Sequence, residues 1–256
     1  MCGRFALTAT PEEVVEFFST VSIDDFPQRY NIAPTQPILL VAAGDRPAPG
    51  SNQPARSSLL ARWGLLPGWV KDPKEFPLLF NARAETAIEK ASFRAAMRHR
   101  RVLVPASGYY EWHRPEKGGE QKPQAYWIRP KRGRLIALAG LLETFASADG
   151  SELDTAAILT TSANAGLAPV HERMPVVIDP QDFDRWLDCK TQEPRDVADL
   201  MRPAPDDLLE AVPVSDRVNS VANMGPDLQL AVVPENPPSR QEAAAGKDEA
   251  GQLSLF

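Results

Sequence analysis

RVLVPASGYYEW, residues 101–112, reads as two short runs of branched and aromatic residues, Val102–Pro105 and Gly108–Trp112, parted by a small-residue turn signal. The same pattern continues in Ala125–Arg129, Leu135–Leu142 and Ala156–Thr161, with Val176–Ile178 and Leu208–Val214 as later strands. Strands this short and this closely spaced predict a curved antiparallel sheet or barrel. Upstream, Ile38–Ala43 is a further strand, and Gly44–Ser58 is so rich in Pro, Gly and Ser that it predicts a mobile surface loop. Helical spacing is confined to short stretches. Thr10 is an N-cap with Pro11 in the first turn, and Val14, Val15, Phe17 and Phe18 give residues 11–19 an apolar face. Thr86–Arg98 turns Ile88, Phe93 and Met97 inward; Asp179 starts a helix over Pro180–Leu187, and Arg195–Met201 is another. The expected fold is α+β: a curved antiparallel, barrel-like β core with flanking short helices over residues 1–233. Residues 234–256 lose apolar periodicity and are read as a disordered tail.

A chain of 256 residues can bury a core without disulfide or metal staples, and 25 Pro against 15 Gly argue against long helical bundles. No run approaches the roughly 18–20 apolar residues of a membrane helix, and the start MCGRFALTATPEE has no signal-peptide core, so the chain is read as soluble and cytoplasmic; a monomer is expected. Two cysteines, Cys2 and Cys189, and three histidines without ligand spacing predict neither a disulfide framework nor a zinc site; no metal or cofactor is expected. The formal charge of −6 hides an asymmetry. Residues 1–134 carry 20 Lys+Arg against 13 Asp+Glu, the remainder 8 against 21. Attraction for phosphate follows the local concentration of cations, so an acidic protein can still present a positive groove.

Cys2 directly follows the initiator methionine, and its small side chain is the condition for methionine trimming. An N-terminal cysteine carries a thiol of reference pKa about 8.5 and an α-amine of about 7.7–8 on one carbon frame. An aldehyde condenses with the amine to an imine, and the adjacent thiol closes onto it as a five-membered thiazolidine. The sulfur traps what would otherwise hydrolyse, and the shared frame gives it a high effective concentration. Composition alone favours Cys2 as a small buried residue of a first strand, CGRFAL.

Five separated segments decide between these readings: MCGRF at 1–5, RYNIAPTQ at 29–36, FNARAET at 80–86, GYYEW at 108–112 and HERMPVV at 171–177. In this order they resemble the SOS-response-associated peptidase (SRAP) family, whose members include proteins that crosslink to abasic sites in single-stranded DNA; the resemblance covers about residues 2–233. It implies a nucleophile at Cys2 with supporting groups on Asn81, Glu111 and His171. His171 is suited to move the proton that opens the sugar hemiacetal, Glu111 to serve the imine steps from a partly apolar pocket beside Tyr110 and Trp112, and Asn81 to orient without changing charge. Arg4, Arg83 and Arg173, each within two residues of these groups, are expected to clamp phosphates. Trp69 or Trp112 is expected to stack on bases flanking the lesion, with Trp63 a core alternative.

The last residues, QLSLF, resemble the short peptide by which bacterial replication and repair proteins attach to the sliding clamp. Leu253, Leu255 and Phe256 would anchor in the groove and Gln252 would supply a directional hydrogen bond. Two other functional classes remain open: a thiol autopeptidase or peptidase using Cys2, and a non-covalent single-strand binding module.

Overall fold

The computed structural model describes residues 2–21, 23, 26–47, 54–114 and 123–234. The strands are β1 (Arg4–Leu7), β2 (Arg29–Ile32), β3 (Pro37–Pro47), β4 (Pro54–Trp63), β5 (Asn81–Arg83), β6 (Arg101–Ala106), β7 (Gly108–His113), β8 (Gln124–Pro130), β9 (Ile136–Ala146), β10 (Glu152–Ser162), β11 (Arg173–Pro175), β12 (Val177–Ile178) and β13 (Leu209–Val214). The α-helices are α1 (Pro11–Phe18), α2 (Ala84–Ala87), α3 (Arg94–His99) and α4 (Phe183–Leu187).

Strand β6 is buried on both faces, which explains its unbroken apolar run. It pairs with β9 from Arg101↔Leu141 to Ala106↔Ile136, and β9 returns against β10. The ring β10–β4–β3–β6–β9 closes on β10, forming a five-stranded barrel. Gly140 is needed there, because a Cβ would lie 2.9 Å from Val104 and 3.0 Å from Val102 side-chain carbons. A second sheet, ordered β13–β8–β7–β1–β2, packs alongside. Phe5 of β1 meets Trp63 of β4 edge to face at 5.2 Å, joining the two sheets through the main core.

Helix α1 forms as expected. Thr10 and Glu13 make a reciprocal capping box, a device worth about 1 kcal/mol, and Ser19 ends the helix in the left-handed region at φ 51°. Val14 and Phe18 are its buried residues.

The α+β, barrel-like core forms as expected, with one refinement: β10 runs parallel to both β4 and β5, while the other strand pairings are antiparallel. Three expectations are corrected. Much of the anticipated loop Gly44–Ser58 is strand, because β3 extends to Pro47 and β4 begins at Pro54. Arg56 secures the returning strand by donating to Asp184 at 2.7 Å and to the Phe18 carbonyl at 2.7 Å. The helix expected over Thr86–Arg98 divides into α2 and α3, since residues 88–93 turn the chain before Phe93 and Met97 reach the core. Arg195–Met201 contains one 3-10 turn, Ala198–Leu200. The expectations for residues 235–256, including Gln252, Leu253, Leu255 and Phe256, lie outside the described residues.

Candidate active site

Cys2 precedes β1 and is fully buried. Strict alternation would put it on the same face as Arg4 and Ala6, but strand geometry begins only at Arg4. The Cys2 side chain joins Phe5 and Tyr109 in the main core, whereas Ala6 packs in a smaller cluster with Tyr110 and Trp127. The Asn81 amide donates from Nδ2 to the Cys2 carbonyl at 2.8 Å, and the Cys2 thiol points to the Arg4 carbonyl at 3.8 Å.

Asn81 reaches this position because the three-residue strand β5 docks on β10, with Asn81 opposite Ile158 and Arg83 opposite Thr160. Glu111 comes from the other sheet. Strand β7 pairs with β1 as Arg4↔Tyr110 and Phe5↔Tyr109, so the next pair along the strand sets Glu111 beside Gly3. Glu111 is itself buried. Burial, and then the Glu111 carboxylate, push the Cys2 thiol far above its ordinary value. The thiol is therefore held protonated at rest, and its burial agrees with the composition reading of Cys2 as a small buried residue.

The expected pocket wall of Tyr110 and Trp112 is also corrected. Adjacent residues of a strand point to opposite faces. Tyr110 donates to the Tyr30 carbonyl at 2.8 Å in the smaller cluster, and Trp112 donates through Nε1 to Asn219 Oδ1 at 2.7 Å. Tyr109 shares the Glu111 face instead. Its phenol is pushed well up by burial first and then by the neighbouring acidic groups of Cys2 and Glu111, so it remains an O–H group.

His171 and Arg173 approach on the other side of β10. Strand β11 pairs Arg173 with Ser162, and the Arg173 backbone N–H donates to His171 Nδ1 at 2.9 Å. With Nδ1 accepting, the neutral ring carries its proton on Nε2 and offers an N–H donor. Arg173 makes a bidentate pair with Glu85 at 2.6 and 2.9 Å and also donates to the Thr160 carbonyl. That pair ties the His171 segment to the segment carrying Asn81, and the Asn81 amide ties both to Cys2.

The three arginines thus occupy different situations. Arg4 donates to Asn31 Oδ1 at 2.8 Å and to the carbonyls of Val218 and Asn219, and Arg173 is held by Glu85; both act as internal struts in this structure. Arg83 is exposed, and its guanidinium has no hydrogen bond or ion pair among the described residues. Trp69 is 59% exposed and meets Phe76 edge to face at 5.5 Å; Trp63 is buried and donates to the Phe80 carbonyl. Sequence reasoning passed over Tyr109, Glu85 and Asn31. Tyr109 was legible as the residue two before Glu111, and Asn31 lies within the quoted RYNIAPTQ segment; Glu85 had no signal until its pairing with Arg173 appeared.

With this geometry in place, comparison identifies the class. The family model described as SOS response associated peptidase (SRAP) matches residues 1–221, and the chain belongs to that family. It is 38% identical over 234 residues to the abasic site processing protein YoqW of Bacillus subtilis, covering 89% of this chain and 98% of that one. It is also 30% identical to the abasic site processing protein YedK of Escherichia coli, over 89% and 98% of the two chains. A solved protein from Bacteroides thetaiotaomicron shares the fold with a TM-score of 0.75 at 21% identity, over 91% of this chain and 100% of that one.

Proposed function

We propose that this protein processes abasic sites in single-stranded DNA, and does so by joining Cys2 to the lesion once Met1 has been removed. The relatives named for abasic-site processing support the substrate class. The observation that carries the chemistry is the Asn81 hydrogen bond to the Cys2 carbonyl, which pins the backbone bearing both nucleophiles beside Glu111.

In this reading His171 serves the proton transfer that opens the sugar ring. The freed α-amine of Cys2 adds to the C1 aldehyde, and loss of water gives an iminium ion. Thiol burial favours this order, because the sulfur stays protonated while the amine reacts. The cationic iminium then reverses the local electrostatics. The thiol proton passes to Glu111, sulfur adds to the iminium carbon, and the C=N electron pair returns to nitrogen. The resulting thiazolidine shields the strand from cleavage. A resting thiol peptidase would require a stabilised thiolate, which an apolar site beside a carboxylate opposes.

Arg83 and Trp69 are the exposed groups suited to phosphate and base contact. The C-terminal QLSLF would recruit the domain to a replicative sliding clamp, placing a monomeric protein at replicating single strands in the cytoplasm. A single-stranded oligonucleotide whose uracil has been excised by a glycosylase tests the central step. A denaturing-gel shift with the intact mass of a one-to-one adduct less water is expected; Cys2→Ser should give no stable adduct. Failure of the unaltered, methionine-trimmed protein to form one would overturn the covalent reading.

A further inference from the structure

We infer that Tyr109 is a further working group of the Cys2 site, its hydroxyl donating a hydrogen bond to the sulfur as the thiazolidine closes. This rests on the covalent reading above. Tyr109 is fully buried, and its Oη has no hydrogen-bond partner among the described residues. Other equally buried aromatic donors are satisfied: Tyr110 donates to the Tyr30 carbonyl, Trp63 to Phe80 and Trp186 to Val102. A buried hydroxyl left without a partner is unfavourable, and folded proteins seldom keep one without a use.

Its place in the fold indicates that use. Tyr109 lies opposite Phe5 on β1, two residues from Glu111 on the same face of β7, and packs in the cluster that contains Cys2. Asn81 presents a second buried atom without a partner, Oδ1, at the same centre, while its Nδ2 holds Cys2. The site is thus built with hydrogen-bonding capacity beyond what the protein itself satisfies. The phenol stays protonated there, as a donor must.

In the closing step the sulfur lone pair forms the C–S bond, the C=N pair moves to nitrogen, and the thiol proton goes to Glu111. Tyr109 keeps its proton throughout. It stabilises negative charge that develops on sulfur between proton loss and bond formation, and the neutral thiol before it needs that donor less. The effect therefore belongs to ring closure and not to imine formation.

Tyr109→Phe tests this in the full, methionine-trimmed chain with the glycosylase-treated single-stranded oligonucleotide. Samples taken over time are divided between borohydride, which traps the imine, and direct denaturation, which leaves only the thiazolidine. The variant should form imine at the unaltered rate and convert it to thiazolidine about tenfold or more slowly, so that a reducible intermediate builds up. It should melt no lower than the parent, since the change removes a hydroxyl without a partner. Conversion at the parental rate, or an equal loss of imine and thiazolidine, would overturn the assignment while leaving the covalent reading intact. Absence of any adduct with the unaltered protein would instead remove the reading on which it rests.

Discussion

Asn81 and Cys2 are 79 residues apart in sequence and joined by one hydrogen bond, from the Asn81 side-chain amide to the Cys2 carbonyl at 2.8 Å. Asn81 lies on β5 in the barrel sheet and Cys2 just before β1 of the other sheet, so this bond registers the N-terminal segment against the barrel. Asn81→Ala leaves a buried carbonyl without its donor, at a cost of about 1–3 kcal/mol. The melting temperature should fall by a few degrees, and crosslinking of an abasic single strand should slow by about tenfold or more. An unchanged crosslinking rate in a folded variant would show that the bond does not position the nucleophile.

The Arg173–Glu85 pair gives an acid-sensitive link. Hydrogen bonds from Arg173 hold the Glu85 carboxyl below its ordinary value. A depressed folded-state value contributes stability above the unfolded carboxylate pKa of about 4.3, and that contribution is lost as pH falls through the folded value. Glu85 is half exposed, so screening keeps the contribution to about 1 kcal/mol or less. Thermal melts of the parent and of Glu85→Gln should differ by a constant amount above about pH 5 and converge only as the pH falls through the depressed folded value of Glu85.

Arg83 and Arg4 should separate DNA contact from scaffold. Arg83→Ala should leave the melting temperature unchanged and lower the salt slope of single-strand binding by about 0.7. Arg4→Ala should chiefly lower the melting temperature, because it removes donors to Asn31, Val218 and Asn219. Fluorescence anisotropy across a salt series, paired with thermal melts, distinguishes the two patterns.

Gly108 begins the strand that carries Tyr109 and Glu111. A Cβ there would lie 2.4 Å from the Ile128 carbonyl oxygen and 2.7 Å from the Trp127 ring. The backbone oxygen cannot swing away as a flexible side chain could. Gly108→Ala should therefore destabilise by about 1–3 kcal/mol or more and displace the β7 groups. Denaturant unfolding gives the first quantity and crosslinking rate per folded molecule the second.

Removal of residues 252–256 should leave crosslinking by the purified protein unchanged while abolishing its binding to a purified bacterial sliding clamp. Surface plasmon resonance with immobilised clamp reads this directly, and retained binding would contradict the proposed attachment.

The local signals were strongest where structure is decided within a few residues. Thr10, Pro11 and Glu13 specify α1 through their own side chains, and the apolar runs Val102–Pro105 and Leu135–Leu142 mark β6 and β9. The loop expected at Gly44–Ser58 failed for the opposite reason: its residues favour turns, but pairing of β3 with β4 and the Arg56–Asp184 contact lie outside any local window. The break between α2 and α3 is likewise imposed by where Phe93 and Met97 find the core. The misplaced Glu111 pocket needed no tertiary information, since strand alternation alone separates Tyr109 from Tyr110.

Sequence order and residue chemistry determined the family resemblance and supplied the proposed set, an aminothiol at Cys2 with an amide, a carboxylate and an imidazole, because those properties travel with the side chains. Only the packing of the two sheets decided that the Cys2 thiol is buried near Glu111, that Arg4 and Arg173 are held by internal partners while Arg83 faces solvent, and that Tyr109 lies in the same cluster as Cys2. Burial, charge proximity and hydrogen-bond vacancy are properties of neighbours in space, and those neighbours arise only when β1 pairs with β7 in one sheet, β5 and β11 dock on β10 in the other, and the two sheets pack together.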